Sequence, residues 1–489
     1  MRNDATVDHT PSAEVVNVDR PPAANEGPAP MPRRKTQPSP PAPDASGAPC
    51  VSIGVRRDQS RVPFGGDTRY FGVDLVSSSR PRPADADRTP VSIGIVIDRS
   101  GSMNGQKIDV AKRAAVEIIN RLHDGDEIAL TIFDTEVEVL LPRTRVDDDT
   151  RTRFRNLVSG IYARGGTALH DGWVRGAQAI APEGGAASGR VVRCYLLTDG
   201  QANEGVTDPQ QIANDVAAAR AEFGVVTSTF GIGDYDEDIL APMATAGGGQ
   251  FHNLRDTSEI VSTFLGELGE AVNVEVSAVA VEVDHDVRSQ IDSVSGLWVR
   301  NGRRSRGTES GGRRTTILDV GDLVGAENRT IIVGIAHPAG EVGAADPHVR
   351  VRVTWRVPGS EATGASDWHE VSWAYADQEA CEREPVEESL ARDAGLHIMH
   401  RARRESSRSS RDGYLARSRA THAEASALMA RFVASSPDLA EAYRPWDAEM
   451  GAIADAPVAQ PIAKEFISEA ERALKGRRDL RGGPTTPTP

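Results

Sequence analysis

A continuous apolar run, Val91-Ser92-Ile93-Gly94-Ile95-Val96-Ile97, stops abruptly at Asp98 and a polar loop. A strand that is apolar on both faces belongs in a sheet covered on both sides. The pattern then changes period. Ile108, Ala111, Ala115, Ile118, Ile119 and Leu122 recur at helical spacing and predict a helix over 104–122. Strands follow at 127–133 and 136–141, helices at 148–160 and 167–181, and a strand at 191–198. A helix over 208–223 opens on Asp208-Pro209, an Asp cap followed by Pro in the first turn. A strand at 225–232 and helices at 236–246 and 256–272 close the segment. Such alternation predicts a mostly parallel, doubly wound sheet over 91–272, with ligands expected at the carboxyl ends of its strands.

Outside this segment the pattern differs. Residues 273–376 lose helical periodicity and read as short alternating strands with turn-rich joins, as in an antiparallel sandwich. Residues 50–80 hold two further strand-like runs, CVSIGVRRD and TRYFGVDLVS, which cannot stand alone. They are the natural completion of the sandwich. The α/β domain is therefore predicted to be inserted into it in sequence. Residues 385–478 turn helical, and Pro437, Pro445, Pro457 and Pro461 are expected to break up their second half. Residues 1–49, with 11 of the 30 prolines, and 479–489 read as disordered tails.

Composition narrows the function. No run approaches the length of a membrane-spanning helix, and the first residues have no apolar signal core. Three dispersed cysteines suit a reducing compartment, so a cytoplasmic location is expected. The net charge is −15, and residues 91–270 carry most of it, 27 acidic residues against 16 basic. That disfavours nucleic acid and anionic membranes, and is compatible with a cation or a basic partner.

The candidate chemistry lies where the first strand ends. Asp98, Ser100 and Ser102 place three oxygen donors on one tight loop, with Gly101 expected to let it turn. Gly165-Gly166-Thr167 offers another hydroxyl before a helix, and Asp199 ends a later strand in Leu197-Thr198-Asp199-Gly200. Parallel strands would bring all of them to one sheet edge. Oxygen donors of this kind suit a hard cation such as Mg²⁺, with Mn²⁺ and Ca²⁺ as alternatives.

Asp-x-Ser-x-Ser, then Thr, then Asp, in the settings VIDRSGSM, GGTALHDG and LLTDGQANEG, resembles the von Willebrand factor A domain family and its metal-ion-dependent adhesion site. The resemblance covers 91–272. The flanking order also looks like bacterial relatives of inter-alpha-trypsin inhibitor heavy chains and calcium-activated channel regulators. It implies a Rossmann-like domain in which Asp98, Ser100 and Ser102 hold the metal directly or through water. Thr167 would bind directly in a ligand-competent state, and Asp199 through water. An acidic side chain of a protein partner would complete the coordination.

Other residues carry weaker readings. His170, Asp171 and Asp134 lie near the predicted site but suit packing or solvated surface. Asp147-Asp148-Asp149, and Asp234, Asp236, Glu237 and Asp238, are better explained as acids at helix starts. Arg401, Arg403, Arg404, Arg408, Arg411, Arg417 and Arg419 suggest a solvated basic face, and Ser406, Ser407, Ser409 and Ser410 among them are candidate phosphorylation sites. The chain has no phosphate loop, no His-Glu-x-x-His and no Gly-x-Ser-x-Gly. The expected function is thus a non-enzymatic, metal-dependent adaptor or scaffold. A chelatase-like subunit whose ATPase is a separate chain is the alternative, with a metal-dependent hydrolase behind it.

Overall fold

The structure, a computed structural model, describes residues 50–78, 90–188, 190–199, 202–233, 235–254, 257–305, 312–341 and 347–474. The two expected disordered tails and Asp234 lie outside the described residues.

The chain begins with β1 (Val51–Arg57), β2 (Arg61–Pro63) and β3 (Thr68–Ser77). The α/β domain follows. Its strands are β4 (Val91–Asp98), β5 (Glu127–Phe133), β6 (Val137–Arg145), β7 (Val191–Thr198), β8 (Val225–Ile232) and β9 (Gly248–Leu254). Its helices are α1 (Gln106–Arg121), α2 (Asp148–Ser159), α3 (Leu169–Ile180), α4 (Pro209–Phe223), α5 (Glu237–Ala246) and α6 (Thr257–Val272). The sheet order is β6-β5-β4-β7-β8-β9, parallel except where β6 pairs antiparallel with β5. One face packs on α1, α2 and α6 through residues such as Ile93, Ile95, Ile118, Phe154 and Phe264. The other packs on α3, α4 and α5 through Val96, Trp173, Leu196, Ile212 and Leu240. This is the doubly wound arrangement that the continuous apolar strands require.

The second half supplies β10 (Val274–Asp286), β11 (Gln290–Ser293), β12 (Trp298–Ser305), β13 (Arg313–Val324), β14 (Asn328–Ala336), β15 (His348–Arg356), β16 (Thr363–Ala365), β17 (His369–Ser372) and β18 (Ala374–Ala376). β3 lies between β1 and β14 in one sheet, antiparallel to both, with Val73 opposite Ile331. β10 runs between β13 and β15 in the facing sheet. Phe71, Val73 and Leu75 from the first sheet share a core with Val281, Leu318 and Val353 from the second. The α/β domain therefore leaves from one sheet of an antiparallel sandwich and returns into the other.

Helices α7 (Gln378–Arg383), α8 (Glu388–Arg411), α9 (Leu415–Val433), α10 (Pro437–Asp455) and α11 (Gln460–Leu474) form the last region. α8 lays Leu390 and Ile398 against Tyr70 and Ile332 on the outside of the first sheet.

Three expectations need correction. β9 fills the join between the expected helices at 236–246 and 256–272, where no strand is expected. Its inward side chains Gln250 and His252 are polar, and α6 satisfies them: His252 Nε2 lies 2.9 Å from Glu267 Oε1, and Gln250 donates to Glu270 at 3.0 Å. Pro437 does not break a helix but starts α10 behind the Ser436 cap, and the helix continues through Pro445 with Trp446 and Met450 buried. The arginines of α8 are not a solvated face. Arg403 pairs with Glu449, Arg404 with Glu471 at 2.9 Å, Arg408 with Asp238 at 3.1 Å, and Arg411 with Glu237 and Asp238. Arg408 and Arg411 tie α8 to α5, Arg403 and Arg404 tie it to α10 and α11, and Ser406, Ser407, Ser409 and Ser410 are buried. Buried hydroxyls are closed to a kinase in this packing.

Candidate metal centre at the carboxyl edge of the parallel sheet

Asp98 is the last residue of β4, and β4 lies between β5 and β7, so its carboxylate emerges at the middle of the sheet edge. It is held from two sides. Oδ1 accepts the backbone N–H of Ser100 at 2.7 Å, and Oδ2 accepts the Thr198 hydroxyl at 2.6 Å. Burial pushes its carboxyl up to about 6, the Thr198 and Ser100 hydrogen bonds pull the other way, and nearby Asp199 adds to the rise.

The loop then makes a single 3-10 turn, Gly101–Met103. Ser100 Oγ and Ser102 Oγ stand 3.1 Å apart, and Ser102 Oγ donates to Asp199 Oδ1 at 2.8 Å. Gly101 opens this turn, as expected, and does so without a positive φ. Gly105 has one, at φ 82°, just before α1, while Gly101 donates its N–H to the Gly165 carbonyl at 3.1 Å. That bond ties the Asp98 loop to the loop carrying Thr167. Thr167 is buried, its N–H donates to Asn203 Oδ1 at 2.9 Å, and its carbonyl accepts the Asn203 N–H at 3.2 Å.

Four of the five expected ligands, Asp98, Ser100, Ser102 and Asp199, thus form one hydrogen-bonded chain, and Thr167 stands on the adjoining loop. Their donor set is carboxylate and hydroxyl oxygen only, which fits a hard divalent cation. Among the described residues no three His, Cys, Asp or Glu side chains gather as a metal cluster. The cradle is built mainly of hydroxyls.

Several contributors are not singled out by the motif alone. Thr198 aims Asp98. Lys107, in the first turn of α1, ion-pairs with Asp199 and donates to the Ser102 carbonyl at 3.3 Å. Asp134 is a structural hub: it takes Arg99 Nε and Arg164 Nε, each at 2.8 Å, and its carbonyl accepts the Ala168 N–H at 2.8 Å. Burial raises its carboxyl, but the Glu136 N–H and the two guanidiniums outweigh this and hold it below the usual range. Thr198 and Asp134 directly adjoin strand ends, which is the one cue available in the sequence.

The remaining candidates point elsewhere. His170 Nε2 lies 3.0 Å from Asp215 on α4, and Asp171 is exposed. Asp147 caps α2 by accepting the Thr150 N–H at 2.7 Å, and Asp236 caps α5.

The domain-sized match to known proteins coincides with this architecture. The von Willebrand factor type A domain family matches residues 92–266. Residues 92–266 are a von Willebrand factor type A domain. An uncharacterised Synechocystis protein is 29% identical over 178 residues, 36% of this chain and 40% of its own length. Human inter-alpha-trypsin inhibitor heavy chain H4 is 28% identical over 233 residues, 47% of this chain and 25% of its own length. Escherichia coli YfbK is 23% identical over 333 residues, 66% of this chain and 54% of its own. The chain thus spans between a quarter and about half of these curated relatives. Beyond the A domain, a von Willebrand factor type A protein from Catenulispora acidiphila shares the fold over 78% of this chain and 87% of its own, with TM-score 0.59 and 20% identity. The ArnB paralog VWA2 from Sulfolobus acidocaldarius does so over 87% and 98%, with TM-score 0.54 and 14% identity. A domains of this kind are commonly metal-dependent protein-interaction modules.

Proposed function

We propose that this chain is a non-enzymatic binding module whose A domain captures a protein partner through a divalent cation held by Asp98, Ser100, Ser102, Thr167 and Asp199. The observation that carries this reading is the charge of the cradle. Two carboxylates and three hydroxyls surround the cation position, and one carboxylate, Asp199, is already paired with Lys107. A dication there together with the nearby Lys107 ammonium would exceed the two carboxylates by one positive charge, so the sheet edge would attract a carboxylate from outside. When bound, the metal supplies that electrostatic attraction. The protein supplies the geometry: Thr198 and the Ser100 N–H fix Asp98, and the bond from Gly101 to Gly165 sets the spacing of the two ligand loops.

The partner is then an acidic protein surface, and the sandwich and helices serve as the mount for the metal face. Mg²⁺ is the expected ion. The test is affinity capture from native lysate with Mg²⁺ or with EDTA, for wild type and Asp98→Ala. A partner retained only by wild type with Mg²⁺ supports the reading. Equal capture in every condition moves recognition away from the metal face.

A further inference from the structure

Lys107 deserves a role of its own among the residues around this site. The chain has five lysines in 489 residues, and this one places its ammonium on the buried carboxylate of Asp199. The ammonium also donates to the Ser102 carbonyl at 3.3 Å, on the same loop that offers the Ser102 hydroxyl. Gly233, on the loop after β8, lies beside the stem: a Cβ there would be 3.5 Å from Lys107 Cε. That loop is in turn held by Lys464 of α11, which donates to the Gly233 carbonyl at 3.2 Å.

Asp199 therefore has two claimants. Its Oδ1 accepts Ser102 Oγ, which belongs to the cation cradle, and its Oδ2 belongs to Lys107. A carboxylate taken fully out of solvent needs a positive partner or several donors. Lys107 supplies that partner in the metal-free protein. A dication entering the cradle brings two further positive charges within a few ångströms of the ammonium, and like charges at that range repel strongly.

We infer that Lys107 is a built-in competitor of the metal: it neutralises Asp199 in the metal-free protein, yields when the cation enters, and so sets the metal affinity of the site. The inference rests on the metal-site reading above and goes beyond it. The exchange needs no proton transfer. The ammonium stays charged and swings toward solvent, to which it is already one-third exposed. The freed charge then stands at the rim of the metal face, where it adds to the attraction for an acidic partner.

The experiment is Mg²⁺ titration by calorimetry on the full chain, for wild type, Lys107→Met and Lys107→Gln, with melting temperatures in EDTA and in Mg²⁺. Met keeps the stem without the charge. Gln keeps a hydrogen bond to Asp199, which preserves folding if Met does not. Losing one charged hydrogen bond from the competing state should tighten Mg²⁺ binding by about tenfold or more. Both variants should melt below wild type in EDTA, and Mg²⁺ should raise their melting temperature more than that of wild type. Binding by a neutral variant but not by wild type supports the inference most strongly. Equal or weaker binding by folded neutral variants overturns it and leaves the metal site standing. No Mg²⁺ binding by any of the three proteins overturns the inference and the metal-site reading together.

Discussion

Thr198 Oγ1 donates to Asp98 Oδ2 at 2.6 Å, so the carboxylate ending β4 is aimed by the last residue of the neighbouring strand β7. The two residues are 100 positions apart in sequence, and only the parallel pairing of β4 with β7 brings them together. Thr198→Val keeps the shape of the strand and removes this donor. Groups that orient a ligand typically contribute about 10-fold or more to metal affinity. Thr198→Val should weaken Mg²⁺ binding by about 10-fold while leaving the far-ultraviolet circular dichroism unchanged, which calorimetry and spectroscopy on the same sample will check.

Asp134 works as a support. It holds the buried guanidinium of Arg99 and that of Arg164, on the loops carrying Ser100 and Thr167. Asp134→Ala leaves Arg99 buried with Glu138, 3.8 Å away, as its one acidic partner among the described residues. Removing one member of a buried pair costs about 3 kcal/mol. Urea unfolding should show that loss, and Mg²⁺ affinity should fall with it because both ligand loops lose their common anchor.

The A domain and the sandwich are joined by a buried ion pair, Arg193 of β7 with Asp322 of β13 at 2.7 Å. Burial raises the Asp322 carboxyl, but Arg193 and the Ala278 N–H overcome this and hold it below its ordinary value. Arg193→Ala should cost about 3 kcal/mol, because it strands a buried carboxylate, whereas the double variant Arg193→Met/Asp322→Leu should recover most of it. Denaturation midpoints of the two variants against wild type decide this.

His337 gives the fold a pH dependence of known sign. It is 6% exposed, packs 4.6 Å from the Trp373 ring, and neither ring nitrogen has a hydrogen-bond partner. Burial, with the charge of Arg69, pushes its pKa down to about 4. The unfolded chain takes up the proton near pH ~6.5 and the folded one resists it. The contribution is therefore intact above pH ~6.5 and is lost as pH falls toward ~4, by up to about 3 kcal/mol. His337→Phe keeps a ring against Trp373 and should lessen the loss of stability over this window, the rest coming from groups such as His397 and His400, which burial also pushes down to about 4; urea unfolding between neutral pH and pH ~4.5 measures the difference.

The fold class and its insertion were legible because burial on both faces writes an unambiguous pattern. Val91–Ile97 and Val191–Leu197 carry it, and the lone strands at 50–80 demanded a sheet elsewhere. The pattern failed where polar side chains are buried in pairs. Gln250 and His252 hide β9 because their partners, Glu270 and Glu267, come from a helix that follows it. The α8 arginines look like a solvent face because some of their acidic partners lie far away in sequence, as Asp238 does, 173 residues from Arg411. At the site, Asp98, Ser100 and Ser102 stand out by local spacing. Thr198, Lys107 and Asp134 act through contacts that exist only once the sheet has formed. A carboxylate can be read from one position in a string; what neutralises it cannot.

Two connections in sequence join the A domain to the sandwich. The incoming one follows β3, a central strand of one sheet, and the outgoing one runs through Asn273 into β10, a central strand of the other. If a partner is held at the sheet edge as proposed, a pull on it would be shared by two interior strands, each hydrogen-bonded along both sides. Load would reach the sandwich as shear spread over several ladders and not as the peeling of one edge.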